Sequence, residues 1–318
     1  MTAHRNGVRH WLRRAVTVAT GFVVGTVGLF GAWISGVDVP LVSGRAYVEL
    51  VKLDRATTTG GPTGVVFILL IGSDFRPGVG GARGDALHVL ALNPALGAGA
   101  MLNIPRDTCA AIPGHGTSKV NNAHAKGGPK LQAEAIAKMT GVPLEYAVSV
   151  DFAGFVSIVD GVGGVTVDVP FSMTDKDSGA YFEPGVQHLN GGQALAFSRD
   201  RHDFGPGDIQ RTWNQGYLIL SAMRELAAGY SSPSKRFELL ASLSRHSQIH
   251  GAGLSDLFTL SQAAFAVDPA QVKSVTIPTS GGGCMDVAGS GAALFADFVD
   301  DGVLQNHAPG TPSNPTGR

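Results

Sequence analysis

The sequence is poor in charged residues. Asp, Glu, Lys and Arg make up 15% of the 318 residues, against roughly 25% in an average soluble protein. No run of like charge is longer than two residues, and the formal net charge is −1. Four arginines and no acid precede residue 38, so the rest of the chain has 20 Lys and Arg against 25 Asp and Glu. A net-acidic body argues against a general nucleic-acid binder. Since 44% of the residues are hydrophobic, the composition also excludes an intrinsically disordered chain.

Cysteine is nearly absent, because only Cys109 and Cys284 occur and they lie far apart in the sequence. This spacing excludes a cysteine-based zinc site. No polar cluster supplies the Ser-His-Asp or Cys-His grouping of a covalent hydrolase. Outside the cytoplasm the pair allows one disulfide, and the alternative is two buried thiols that pack as small apolar groups.

One long uncharged segment stands near the N-terminus, from Ala15 to Val37, directly after Arg13 and Arg14. About 20 apolar residues span a bilayer as a helix. The preceding arginines predict that residues before the span stay in the cytoplasm and that the body of the protein lies outside it. A cleaved signal peptide is the alternative interpretation of the same segment.

The composition along the chain predicts one large domain with flanking segments. The predicted ranges are a cytoplasmic stub at 1–14, a transmembrane helix at 15–37, a stalk or linker at 38–64, a catalytic domain at 65–304 and a disordered tail at 305–318. Within the stalk, residues 38–53 read as an irregular stalk or a first helix.

Apolar segments of strand length alternate with segments of helical periodicity in the body of the chain. Strands are predicted at 65–72, 86–93, 100–105, 146–150, 165–169 and 272–278, and helices at 129–141, 152–160, 209–229, 236–246, 254–266 and 291–300. The short 86–93 to 100–105 connection predicts a hairpin. The alternation predicts an α/β fold in which a mixed sheet is flanked by helices on both faces, in three layers.

Asp and Arg recur in four polar clusters at strand ends and in loops, at 72–77, 83–85, 104–108 and 198–211. A single Asp-Arg pair is usually an ordinary surface salt bridge. Repetition at strand ends is typical of a phosphate site, because Mg²⁺ takes carboxylate and phosphate oxygens and Arg binds phosphate through two parallel hydrogen bonds. The pattern therefore predicts a pyrophosphate site.

The stretches that carry these clusters resemble the LytR-CpsA-Psr family of cell-wall glycopolymer phosphotransferases. They include FILLIGSDFRPG, ARGDALHVLALNP, MLNIPRDTCAAIPG, KVNNAHAKGG and LNGGQALAFSRDRHDFGPGDIQR, in order along the chain. By this resemblance Asp74 and Asp85 are the metal-associated acids and, with Arg106, the catalytic residues. The implied pyrophosphate ligands are Arg83, Arg106, Arg199, Arg201 and Arg211, with Asp208, Lys119, Asn121 and Gln215 in matching positions.

The resemblance implies a Mg²⁺-assisted enzyme, with Mn²⁺ as an alternative ion, at the outer face of the cell membrane. Its expected partners are a polyprenyl-pyrophosphate-linked glycan, peptidoglycan and the membrane, and no nucleic acid. Asp74 or Asp85 would orient or deprotonate the acceptor hydroxyl. Two alternatives stay open: a tethered module that binds the lipid carrier without turnover, and a pyrophosphatase that uses the same site.

Two further expectations follow from the resemblance. The family holds a polyprenyl tail in an apolar tunnel, for which the candidate residues are Phe152, Phe155, Val156, Leu218, Ile219 and Met223; their alternative role is ordinary core packing. The chain also departs from the family pattern at Gly84, where the family usually has Ser, and at Asn214, where it usually has a second Arg. The loss of that arginine is expected to weaken pyrophosphate binding or to alter the preferred substrate.

Overall fold

A computed structural model describes residues 48–54, 62, 64–75, 82–201, 207–230, 232, 234–236 and 247–316. The predicted span at 15–37 and most of the predicted helix at 236–246 lie outside these ranges. Within the described ranges, no helix combines the length and the apolar character that a membrane crossing needs.

A seven-stranded mixed sheet forms the centre of the fold, in the order β12-β1-β7-β2-β3-β4-β13. Its strands are β1 (Val48–Lys52), β2 (Val66–Ser73), β3 (Gly84–Asn93), β4 (Ala98–Asn103), β7 (Tyr146–Asp151), β12 (Ser247–His250) and β13 (Val272–Thr276). The predicted hairpin is β3–β4, which pair antiparallel, whereas β2 pairs with β7 in parallel. Strands β2 and β3 are nearly continuous apolar runs because both of their faces are covered.

Helices cover the sheet on both faces. The helices are α1 (Asn122–Thr140), α2 (Phe152–Gly161), α3 (Gly191–Arg199), α4 (Gly207–Gly229), α5 (Leu254–Ala266) and α6 (Gly291–Asp301). Helices α1 and α6 pack on one face, where Phe298 meets Phe67 with ring centroids 5.7 Å apart. Helices α4 and α5 pack on the other through Leu220 and Ala263. The predicted mixed α/β fold with helices around a central mixed sheet is thus confirmed.

In the part of the chain that the structure describes, four short ladders lie outside the main sheet. They are β5 (Cys109–Ile112) with β6 (Gly116–Lys119), β8 (Val165–Val169) with β11 (Gly185–Leu189), β9 (Met173–Asp175) with β10 (Ala180–Phe182), and β14 (Thr279–Ser280) with β15 (Asp286–Val287). The predicted strand 165–169 is therefore real but belongs to one of these ladders. With α2 and α3, the β8–β11 and β9–β10 ladders form a separate apolar cluster around Phe197.

Two predicted boundaries differ from the structure. Residues Val48–Lys52, predicted as stalk or helix, form a strand inside the sheet, because partners distant in sequence pair with it on both sides. The tail after residue 304, predicted as disordered, runs along β13 instead. There Gly310 N donates to Ser274 O at 2.8 Å and Thr276 N donates to Pro315 O at 3.0 Å. The tail supplies the partners that an edge strand otherwise lacks.

Candidate functional site

The ends of β2 and β3 bring the first two polar clusters together at a β-bulge. Gly72 pairs with Ala86 and Ser73 pairs with Gly84, so Asp85 is the extra residue. Beyond the bulge, Asp74 Oδ1 accepts the backbone N–H of Arg83 at 2.6 Å. The bulge thereby separates the two predicted acids: Asp85 lines the neighbouring cavity, whereas Asp74 does not and has one oxygen bonded to the Arg83 backbone.

A cavity of about 520 Å³ lies between the sheet and helices α2, α3 and α4. Its polar part contains six residues of the predicted site: Asp85, Arg106, Arg199, Arg201, Arg211 and Gln215. Its apolar part contains Leu70, Val148, Phe155, Leu218 and Ile219. A polar site that continues into an apolar channel fits a ligand with a charged head and a hydrocarbon tail.

Acidic side chains hold the deepest arginines in place. Arg106 Nη1 donates to Asp85 Oδ2 at 2.8 Å, and its Nε lies 3.5 Å from Asp208 Oδ1. Asp208 Oδ1 also pairs with Arg211 Nη2 at 2.5 Å. Because Arg211 is only 5% exposed, burial lowers the pKa of its guanidinium, and the nearby Asp208 opposes that effect. Arg stays charged in proteins even so, which makes this a fixed positive site.

Two further arginines come from the end of α3. The guanidinium of Arg199 lies over the ring of Phe152, 5.4 Å from its centroid, in a cation–π contact. The backbone N–H of Arg201 donates to Asp175 Oδ2 at 3.3 Å. Since both residues line the cavity with Arg106 and Arg211, four arginines from three separate segments converge on one space.

Five of the predicted residues do not line the cavity: Asp74, Arg83, Lys119, Asn121 and Asp208. Asp74 and Arg83 are joined to each other at the bulge, and Arg83 is exposed. Lys119, at the end of β6, pairs with Asp107 at 3.0 Å. Asp107 in turn lies 3.8 Å from Arg106. Lys119 thus connects to the cavity only through this chain of charges.

The donor set is a partial match to a magnesium site. The described residues contain no group of three or more His, Cys, Asp or Glu side chains placed to hold a metal. Asp85 Oδ2 is taken by Arg106, while Oδ1 has a long 3.4 Å contact with the amide of Asn121. Mg²⁺ commonly binds one or two carboxylates together with substrate phosphates and water. A Mg²⁺ ion at Asp85 would therefore need substrate phosphate and water for its other ligands.

A disulfide secures the loop that carries Arg106. Cys109 and Cys284 are joined, with Cα atoms 5.2 Å apart. Beside the bond, Cys109 N donates to Met285 O at 2.7 Å and Met285 N donates to Asp107 O at 2.9 Å. Cross-link and backbone bonds together tie the Arg106-Asp107 turn to the segment after β13.

The two departures from the family pattern occupy packed positions. A Cβ at Gly84 would lie 3.1 Å from Gln132 Oε1 and from Leu87, so a larger residue needs its neighbours to move. Asn214 is fully buried, and its Oδ1 accepts from Gln210 at 3.0 Å. Asn214 does not line the cavity, and the cavity's four arginines come from other positions.

His88 is a cavity residue that the sequence reasoning did not select. It is 1% exposed, and its Nδ1 lies 2.8 Å from Asn103 Oδ1. Burial lowers the pKa of His88 to about 4, although the side-chain amides of Asn103 and Gln215, which face the ring, oppose this. The one feature of the sequence that marks His88 is that it is a polar residue in the middle of the apolar segment ALHVLALN.

The chain has clear relatives. The model of the LytR_cpsA_psr family matches residues 46–296. A polyisoprenyl-teichoic acid–peptidoglycan teichoic acid transferase, TagU of Bacillus mycoides, is 38% identical over 182 residues, which is 57% of this chain and 59% of the relative. The chain thus spans about three fifths of the length of that curated relative.

Solved structures share the fold. The crystal structure of Bacillus subtilis TagV superimposes with a TM-score of 0.64 at 26% identity, over 75% of this chain and 96% of that one. A LytR-Csp2A-Psr enzyme from Actinomyces oris gives a TM-score of 0.65 at 23% identity, over 85% of this chain and 97% of that one. At 23% identity, the similarity to the Actinomyces oris enzyme shows only that the two chains share a fold.

Proposed function

The chain belongs to the LytR_cpsA_psr family, and from this premise we propose that it transfers a phospho-glycopolymer from a polyprenyl-pyrophosphate carrier to a hydroxyl of peptidoglycan. The observation that carries the proposal is the single cavity in which four arginines and Asp85 meet an apolar channel. The teichoic acid transferase named above supports the same reaction class.

The cavity suits both ends of such a carrier. A pyrophosphate diester carries two negative charges, and four arginines line the cavity beside four aspartates. Two of these aspartates are already bonded to backbone N–H groups, since Asp151 accepts from Gly154 and Asp175 accepts from Arg201. Leu70, Val148 and Ile219 continue the cavity with apolar surface suited to the first isoprene units. Of the six residues expected in the tunnel, four line the cavity: Phe152, Phe155, Leu218 and Ile219. Val156 and Met223 do not line it, and Met223 packs against the core cluster beside it.

The arginines would act chiefly on the leaving group. In the transfer, the acceptor oxygen bonds to the glycan-side phosphorus, and the bridging oxygen departs on the lipid phosphate. Arg106 and Arg211 are already oriented by Asp85 and Asp208, so they can stabilise the developing charge without reorganising. Phosphoryl transfer depends mainly on such positioning and charge stabilisation.

Asp85 is the acid best placed to serve the reaction. It lines the cavity, and among the described residues its Oδ1 contacts only the amide of Asn121, at the long distance given above. In our proposal Asp85 holds Mg²⁺ together with the substrate phosphates, or orients the acceptor hydroxyl, while Asp74 supports the bulge from outside. A bound Mg²⁺ would neutralise phosphate charge during the transfer.

We propose an extracytoplasmic site, tethered by residues 15–37. The Cys109–Cys284 disulfide supports this location, because disulfides persist outside the reducing cytoplasm. The tether would keep the cavity near membrane-embedded carriers and the surrounding peptidoglycan.

The decisive experiment incubates the purified full-length protein with a radiolabelled polyprenyl-pyrophosphate glycan and peptidoglycan fragments. Transfer is expected only with Mg²⁺, and Asp85→Asn should lose it, while Asp286→Asn, an exposed acid in β15, serves as the matched control. Binding of the carrier with no product would instead indicate a tethered binding module. Product that ignores the peptidoglycan fragments would indicate a pyrophosphatase.

A further inference from the structure

His88 presents a buried nitrogen to the cavity. It lies in β3 opposite Leu70 of β2, and both residues line the cavity. Its Nδ1 contacts Asn103 Oδ1 at 2.8 Å. Its Nε2 is buried and has no hydrogen-bond partner among the described residues. A buried nitrogen of this kind calls for a partner, because leaving it unsatisfied costs free energy.

The side-chain amide of Asn103 determines which ring nitrogen of His88 carries the hydrogen. Asn103 donates from Nδ2 to Ser274 Oγ at 2.9 Å, so its Oδ1 is the atom that faces His88 and can only accept. Nδ1 of His88 is then the donor. In a neutral imidazole the other nitrogen, Nε2, is a bare acceptor.

Gln215 supplies a second acceptor beside the first. Its Nε2 donates to Ser198 O at 3.2 Å, which leaves Oε1 buried without a partner among the described residues. Gln215 lines the same cavity and faces the imidazole closely enough to influence its pKa. Burial lowers the pKa of His88 to about 4, so the ring is neutral at neutral pH. With its one hydrogen on Nδ1, facing Asn103 Oδ1, the ring has none to donate from Nε2.

Two acceptors that share a cavity require a ligand with two donors. We propose that His88 Nε2 and Gln215 Oε1 together bind a water molecule and orient it as an alternative acceptor for the phosphoryl group. The inference rests on the proposed function and deepens it. Water is the small molecule that donates two hydrogen bonds and keeps its lone pairs for attack, and a glutamine positions the attacking water in some phosphoryl-transfer enzymes.

The location suits this role. Gln215 stands one turn of α4 after Arg211, so the water lies where the arginine-rich part of the cavity meets the apolar part. In the hydrolytic step the water oxygen bonds to the glycan-side phosphorus, and the bond from that phosphorus to the bridging oxygen breaks. The bridging oxygen leaves on the lipid phosphate, and the two water protons pass to the phosphate products or to solvent.

The tautomer of the His88 ring tests the inference directly, and measuring it requires no enzyme assay. Nitrogen-15 NMR of the ¹⁵N-histidine-labelled protein, assigned by comparison with His88→Gln, should show Nδ1 protonated and Nε2 unprotonated at pH 7. The opposite tautomer, with Nε2–H donating to Gln215, would overturn the inference, since the pair would then satisfy each other and hold no water.

The second readout is the ratio of hydrolysis to transfer, measured with H₂¹⁸O and peptidoglycan fragments together. His88→Asn keeps a donor near the Nδ1 position and loses the Nε2 acceptor, so the ratio should fall at least about 10-fold, since misplacing a reactant costs that much or more. His88→Gln restores an acceptor near the Nε2 position and should retain most of the ratio. His115→Asn, in the exposed turn after β5, is the control.

These outcomes separate the inference from the function on which it rests. An unchanged ratio in a folded His88→Asn protein that still transfers would refute the water site alone. Absence of both products from the wild-type protein would refute the proposed function. If His88→Asn fails to fold, the tautomer measurement on the wild-type protein still decides the matter.

Discussion

At the scale of single residues, Arg211 is the site residue whose replacement we expect to affect both activity and stability. Its guanidinium is nearly buried, pairs with Asp208 and lines the cavity. Arg211→Met should lower the transfer rate on the order of 100-fold, by analogy with removing one preorganised donor. It should also destabilise the protein by roughly 3 kcal/mol, because Asp208 loses a buried partner.

The same helix offers a matched control for that substitution. Arg224 lies on α4 and is exposed, so Arg224→Met should leave both the rate and the free energy of unfolding nearly unchanged. Rate assays and urea unfolding of the two variants measure the contrast. Equal effects at both positions would mean that Arg211 has no special role in the cavity.

His88 makes a pH-dependent contribution to stability. Its pKa is 6.5 in the unfolded chain and about 4 in the folded protein. Between these values the unfolded state binds more protons, so stability falls as the pH drops from 6.5 towards 4. The loss should reach about 3 kcal/mol, at about 1.4 kcal/mol per pKa unit.

Unfolding of wild type and His88→Met across pH 4 to 7 isolates this contribution. The difference between their free energies of unfolding should change by that amount, since all other groups titrate in both proteins. A constant difference would show that His88 keeps an ordinary pKa in the folded state.

Residue types predicted the site better than they predicted its geometry. Recurrent Asp and Arg at strand ends pick out segments that contribute residues to one cavity in the structure. The bulge that places Asp85 in the cavity wall and Asp74 outside it depends on the register of β2 against β3. Single-sequence patterns carry no register, so the two acids looked equivalent. His88 was missed because a lone histidine in a strand has no recognisable spacing.

At the scale of elements, the disulfide should matter for both stability and activity. It closes a loop of 175 residues between β5 and the segment after β13. In the chain-entropy description a loop of this size stabilises by about 5 kcal/mol. Cys109→Ser with Cys284→Ser should lower the free energy of unfolding by up to that amount, measured by urea denaturation.

The double serine variant should retain partial activity. The backbone bonds between Met285 and residues 107 and 109 remain available to hold the Arg106-Asp107 turn. Reduction of the wild-type protein with a thiol should reproduce the same loss of stability. No change on either treatment would contradict the role assigned to the cross-link.

Elements with continuous apolar runs or clear helical periodicity were the ones that the sequence predicted well. The run VVFILLIG and the long helix α4 were located within a few residues. Strand β1 was not, because its five residues are extended by pairing with β7 and β12 rather than by a pattern of their own. The tail after residue 304 was likewise misjudged, because its composition suits disorder while β13 provides an edge to bind.

At the scale of the whole molecule, the prediction concerns orientation. Arg13 and Arg14 before the uncharged run predict that the N-terminus is cytoplasmic and the body is outside. A tag placed before Met1 should therefore resist trypsin added to wall-stripped cells, while a tag placed after Arg318 should be removed. After detergent is added, trypsin should remove both tags. A cytoplasmic marker protein should stay intact before detergent is added and be digested afterwards.

The two tags also separate an uncleaved anchor from a cleaved signal peptide. An anchor keeps both tags on one polypeptide, so immunoblots for either tag should show a membrane-bound band of the same size. Cleavage after the span would detach the N-terminal tag and release the body from the membrane fraction. Protection of the C-terminal tag in wall-stripped cells would place the arginine-lined cavity in the cytoplasm. Peptidoglycan would then be out of reach, and the proposed transfer would have to be abandoned.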